Sequence, residues 1–150
     1  MLTNFKSISD FLQKFVILNE KLYTICSHNF FGCGPLDGAC YELARALQSY
    51  IPNSKIYTIR DENDIEQHYV VGVYFGRTLF LIDADGISIE IDLLNRWELE
   101  ELITSPNLVE IECIPQQVIR YDNDQTHRSE ILVDQLSIYF KQCLSNRGGK

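Results

Sequence analysis

No run of apolar residues in this chain approaches the roughly 20 that a membrane-spanning helix requires, so no membrane partner is expected. The first residues, Met1-Leu2-Thr3-Asn4-Phe5-Lys6, lack the charged start and apolar stretch of a secretory signal, which leads us to expect a cytoplasmic protein. An even, regularly spaced cysteine set is missing too: five cysteines are an odd number without a framework, as in chains whose thiols stay reduced. Neither internal repeats nor low-complexity segments occur. Positive charge is scarce, with 13 Lys/Arg against 21 Asp/Glu and a net charge of −8. The deficit is local: residues 61–124 carry 3 basic and 15 acidic side chains, residues 1–60 carry 6 and 4, and residues 125–150 carry 4 and 2. A surface that acidic repels phosphate backbones, so nucleic acid is not an expected partner; it suits either a solvated face that keeps the chain soluble or a basic protein partner.

What is present describes one folded unit. The 150 residues are 45% hydrophobic and include eight Phe, eight Tyr and the single Trp97, enough for one domain over residues 1–150 with a real core. Ser7-Ile8-Ser9-Asp10 has the pattern of a helix start, Ser7 capping and Asp10 reaching back. Phe11, Phe15, Leu18, Leu22 and Ile25 follow at steps of three or four, so a first helix is expected from about Ile8 to Cys26. The Gly- and Pro-rich stretch Ser27 to Gly38 interrupts it. A second helix should begin near Gly38 or Ala39 with Asp37 as N-cap, carrying Cys40, Leu43, Ala44, Leu47 and Tyr50 on one side.

Strands dominate the middle. Lys55 to Arg60 reads as one, and residues 67–75 and 78–83 as a strong pair separated only by Gly76-Arg77, a hairpin signal. Ile87 to Asp92 alternates apolar and polar as a half-buried strand would. Asn95 is placed to cap a short helix holding Trp97, Leu99, Leu102 and Ile103; Leu108 to Ile114 reads as a strand, with Cys113 inward. A last helix is expected from about His127 to Leu144, with Ile131, Leu132, Gln135, Leu136, Tyr139, Phe140 and Cys143 inward and a frayed tail over residues 145–150. Helices followed by hairpin-linked strands imply an α+β domain with an antiparallel sheet, a nucleophile-bearing helix near its start and flanking helices.

The chemistry gathers around Gly38-Ala39-Cys40-Tyr41. A cysteine in the first turn of a helix feels unpaired N–H groups and the positive end of the dipole, which favour its thiolate, and the same N–H groups suit an oxyanion. If Gly76-Arg77 is a two-residue loop, facing residues have numbers summing to 153, and His68, Asp83 and Asp85 then project from one side of the sheet. Asp83 is the diagonal neighbour of His68, about 7–8 Å away by backbone spacing and within side-chain reach. Asp85, before Gly86, is committed to a turn, so Asp83 is the expected orienter of the imidazole.

A nucleophile at a helix start, then His on one strand and Asp on the next, resembles the papain-like cysteine fold in its transglutaminase-like and NlpC/P60-like forms. The order Cys40, His68, Asp83 matches that family, and Leu43-Ala44-Arg45-Ala46-Leu47 is similar to its nucleophile helix. The resemblance spans about residues 32–92. It implies a papain-like core and amide chemistry through a thioester, without a cofactor: proteolysis, glutamine deamidation or acyl transfer to an amine, on a protein or a small amide. Asn29 and His28 are candidates for an extra oxyanion donor by proximity, and Tyr41, Tyr69 and Asp85 for substrate contact or, for the tyrosines, packing. Cys26, His28, Cys33 and Cys40 are zinc-type ligands, but their gaps are not the paired spacings of a structural site, so no metal is expected. The rival reading is a non-enzymatic acidic protein-binding module, of inhibitor or immunity type or at the extreme a nucleic-acid mimic, using residues 61–66 and 98–112 against a basic surface.

Overall fold

The computed structural model describes residues 2–17 and 19–148, the last three as backbone only. Among the described residues, six helices accompany one five-stranded antiparallel sheet. The chain begins with α1 (Phe5–Phe15), started by Asn4 rather than Ser7: the Asn4 side chain accepts from Ser7 N–H at 2.8 Å, and Ser7 Oγ accepts from Asn4 N–H at 3.3 Å. The single helix expected from Ile8 to Cys26 is two. Ile17 N–H donates to Leu12 O at 2.7 Å, and α2 (Glu20–Asn29) starts afresh with Asn19 accepting from Lys21 and Leu22 N–H. The Asn19 amide also donates to Tyr139 Oη at 2.9 Å, so a distant residue fixes the break; Leu18, expected on the apolar face, lies outside the described residues.

A turn at Gly34-Pro35-Leu36-Asp37 leads into α3 (Cys40–Gln48). Then come β1 (Lys55–Arg60), β2 (Glu66–Phe75), β3 (Thr78–Asp83) and β4 (Gly86–Ile89), followed by α4 (Glu90–Glu100), β5 (Asn107–Glu110), α5 (Gln116–Ile119) and α6 (Asn123–Gly148). The sheet order is β4-β3-β2-β1-β5. Gly76, at φ +63°, closes the β2–β3 hairpin, and Val71↔Ile82 and Phe75↔Thr78 pair in the register a two-residue loop requires.

The sheet is covered on both faces, which is why β2 is nearly continuously buried. On one side Val71, Val73 and Ile82 join the larger core with Phe11, Leu12, Leu22, Leu43, Leu47, Leu132, Leu136 and Phe140 from α1, α2, α3 and α6. On the other, Ile59, Val70 and Leu81 pack with Leu93 of α4, and Trp97 and Leu94 close over them.

Several expectations are corrected. Ile87 to Asp92 is strand only as far as Ile89; its alternation also suits the start of a helix, and Ile91 ends 63% exposed on α4. Asn95 therefore lies inside α4 and caps nothing, while Leu102 has left the helix and is exposed. The last expected strand ends at Glu110, which leaves Cys113 exposed instead of inward, and α6 is longer than expected at both ends, with Gln135 exposed. Its backbone runs through Gly148, where a frayed end was expected; Gly149 and Lys150 lie outside the described residues. No helix among the described residues is long and apolar enough to cross a membrane.

Candidate active site

Cys40 opens α3, and the local sequence explains why its amide end is bare. Gly34 and Asp37 exchange backbone hydrogen bonds at 2.9 and 3.0 Å, so Asp37 is spent on the turn and is not the expected N-cap. The N-cap is Ala39, with no side-chain hydrogen bond. The first-turn N–H groups that lack intrahelical partners are thus not covered by a capping side chain. Gly38 makes the approach possible: it sits at φ +95°, and a Cβ there would stand 2.6 Å from Cys33 Sγ.

His68 and Asp83 come from neighbouring strands. His68 Nε2 and Asp83 Oδ2 lie 2.8 Å apart, with His68 fully buried and Asp83 only 5% exposed. Asp83 is itself held, its Oδ1 accepting from Asp85 N–H at 2.9 Å and its Oδ2 lying 3.8 Å from Arg96 Nη2. A register shift at Ile59/Arg60 adds one residue to β2 beside His68, and Thr58 Oγ1 donates to His68 O at 2.9 Å. Such a bulge re-aims a side chain. Trp97 stacks on the imidazole, with centroids 4.5 Å apart and planes within 22°.

This leaves His68 Nδ1 buried and without a hydrogen-bond partner of ordinary geometry. The neighbour that still acts on the ring is the Cys40 thiol. Burial works to lower the His68 pKa, but the hydrogen bond to Asp83 and the interaction with Cys40 outweigh it and raise the value to about 9. A value raised in this way favours the charged form of the imidazole.

The other sequence candidates divide. Tyr69 is buried, donating to Glu66 Oε1 at 2.8 Å, and Tyr41 packs edge-on against it at 5.3 Å. Tyr41 also lines a groove of about 540 Å³ with Arg45, Ile114 and Val118. Asp85 is exposed and lines a pocket of about 320 Å³ with Leu36, Asp37, Arg96, Trp97, Glu100 and Glu101. The Asn29 amide donates to Ile25 O at 2.8 Å, inside its own helix. His28 is exposed near the end of α2, and the described residues contain no group of three or more His, Cys, Asp or Glu able to hold a metal ion.

Sequence reasoning missed Trp97 and Arg96 as neighbours of the pair, and missed Glu42, which is fully buried on α3. The signal for Glu42 was present in Ala44 and Ala46: small residues on several sides of α3 mark a helix enclosed nearly all round. Compared with protein-family models, with curated proteins and with solved structures, the chain matches none.

Proposed function

We propose that this protein is a thiol-dependent hydrolase or acyltransferase acting on an amide, with the papain-like arrangement the sequence resembles. The observation that carries the reading is the buried His68–Asp83 hydrogen bond, which leaves Nδ1 unpaired and the imidazole under the influence of Cys40 at an uncapped helix start. Cys40 sulfur attacks the amide carbonyl carbon, and the oxyanion is met by first-turn N–H groups of α3. As the C–N bond breaks, His68 gives its proton to the departing nitrogen, so the products are a thioester on Cys40 and ammonia or an amine. Water or a second amine then attacks the thioester carbonyl carbon while His68 takes up its proton; the C–S bond breaks, and the sulfur leaves as the thiolate beside the re-protonated imidazole. Asp83 holds the ring and offsets its charge throughout.

Access favours a slender reacting group. Cys40 is 6% exposed and His68 is covered by Trp97, so a side-chain carboxamide or a chain terminus fits better than a peptide bond within a folded chain. The test is alkylation of Cys40 by iodoacetamide at pH 7, followed by peptide mass spectrometry. A slowing of roughly 10- to 100-fold in His68→Ala is expected; equal rates in both proteins would remove the catalytic reading.

One observation favours the second reading, an acidic module for a basic partner. Asp37, Asp85, Glu100 and Glu101 gather at the 320 Å³ pocket, and none of them enters an ion pair among the described residues. Binding of a basic partner that collapses with added salt and is unaffected by Cys40→Ala would support it.

A further inference from the structure

We infer that Glu42 and Gln117 are positioning residues for Cys40, joined through Tyr121 into a clamp that fixes the backbone on both sides of the nucleophile; the inference rests on the reading of Cys40 given above. Gly38 precedes Cys40 by two residues and Glu42 follows it by two, and one C-terminal segment holds both. Gln117 Nε2 donates to Gly38 O at 3.0 Å and to Tyr121 Oη at 2.5 Å. Tyr121 Oη in turn donates to Glu42 Oε2 at 2.9 Å, and Ser129 Oγ donates to the same oxygen at 2.6 Å.

The peptide unit between Gly38 and Ala39 is thereby pinned at both ends. Its oxygen is held by Gln117, while its N–H donates to Gly34 O at 3.1 Å. Ala39 O accepts from Leu43 N–H at 3.0 Å, the first bond of α3. With the Gly38–Ala39 plane pinned and the Ala39–Cys40 plane held through Ala39 O, the direction of the Cys40 N–H is set from both sides.

Two features argue that this is more than packing. A buried carboxyl is costly, and an apolar side chain of similar volume would commonly serve stability as well or better. Yet Glu42 is fully buried, and its Oε1 has no partner. Burial raises its pKa against the opposing hydrogen bonds from Ser129 and Tyr121. Moreover, α5 buries no residue, so hydrogen bonds place Gln117. Gln116 N–H donates to Glu66 Oε1 at 2.8 Å, its Oε1 accepts from Glu66 N–H at 2.9 Å, and Gln117 N–H donates to Tyr69 Oη at 3.4 Å.

A purely structural network and a positioning clamp predict opposite signs. If the network only holds the fold, breaking it loosens the cover, and iodoacetamide reaches Cys40 faster and begins to reach Cys26. If it positions Cys40, the thiol reacts more slowly while Cys26 stays protected. The experiment follows both cysteines by peptide mass spectrometry at pH 7.5 in wild type, Gln117→Leu, Glu42→Leu, Glu42→Gln and His68→Ala, with thermal unfolding of each. Gln117→Leu and Glu42→Leu are expected to slow Cys40 roughly five- to tenfold, a misplacement effect. Glu42→Gln, which keeps an acceptor oxygen for Tyr121 and Ser129, recovers most of the rate lost in Glu42→Leu. Should Glu42→Leu fail to fold, Gln117→Leu on the surface-held α5 decides alone. Wild-type or faster rates in folded Gln117→Leu overturn the clamp. If His68→Ala is slow in the same series, only the clamp has failed; if His68→Ala also reacts at the wild-type rate, the nucleophile reading has failed first.

Discussion

Two cysteines of this chain are almost equally hidden and differently surrounded. Cys26 lies near the C-terminal end of α2 in the larger core, fully buried; burial, then Glu42, then Cys33 push its thiol up to about 12. Cys40 lies at the N-terminal end of α3, 6% exposed, facing an imidazole that is raised to about 9. Burial alone makes a thiol inert. What separates the two is which end of a helix each occupies and whether a charged partner waits there. On the proposed reading, His68 and the uncapped start of α3 set Cys40 apart from Cys26, and the exposure of the sulfur does not.

The largest effect expected from this contrast is kinetic. In the native protein at pH 7.5, Cys40 should be alkylated about a thousandfold faster than Cys26, since a thiol near 12 supplies almost no thiolate. Denaturant should erase the difference, and Cys113 provides a solvent-exposed reference in the same digest. Similar native rates at Cys26 and Cys40 would break the comparison.

The next effect is on stability. A histidine at about 9 when folded and about 6.5 when unfolded binds its proton more tightly in the folded state. Its contribution, about 3 kcal/mol by linkage, is complete below pH 6.5 and lost as pH rises through 9. Urea midpoints should fall over that window, and fall less in Cys40→Ala, which removes one of the raising interactions.

Asp83→Asn sharpens the roles within the pair. It removes the first of the interactions that raise His68, so burial gains ground, the titration moves down from about 9, and Cys40 alkylation at pH 7 slows about tenfold. The smallest effect belongs to Trp97→Leu. Loss of the stacked ring should cost about 1 kcal/mol in thermal or urea unfolding. It also admits water to His68, and because burial lowers this pKa, the titration should move further up.

The parts of the site that depend on short-range counting were legible in the sequence. Gly76-Arg77 sets the β2–β3 register, and the two-residue period of strands then puts His68 and Asp83 on one face. Cys40 at a helix start was legible from Gly38 and the apolar spacing after it. What depends on distant partners was not. Asn19 is a good N-cap type, but an unbroken apolar spacing masks it and the Tyr139 that helps to hold the break is distant, while nothing near Trp97 says that α4 crosses the sheet to cover His68. The alternation of Ile87, Ile89 and Ile91 fits a strand and a helix entrance alike, and the change from β4 to α4 falls between Ile89 and Glu90. Gln117 and Glu42 are 75 residues apart in sequence, and only folding through Tyr121 relates them.

The most direct test is the titration of His68 by NMR, reading the imidazole Cε1–H signal against pH in wild type and in Cys40→Ala. A midpoint near 9 is expected in wild type and a lower one when the thiol is gone. A wild-type midpoint at or below 6.5 that Cys40→Ala leaves unmoved would mean that burial governs His68, that Cys40 does not act on it, and that the two do not form a site.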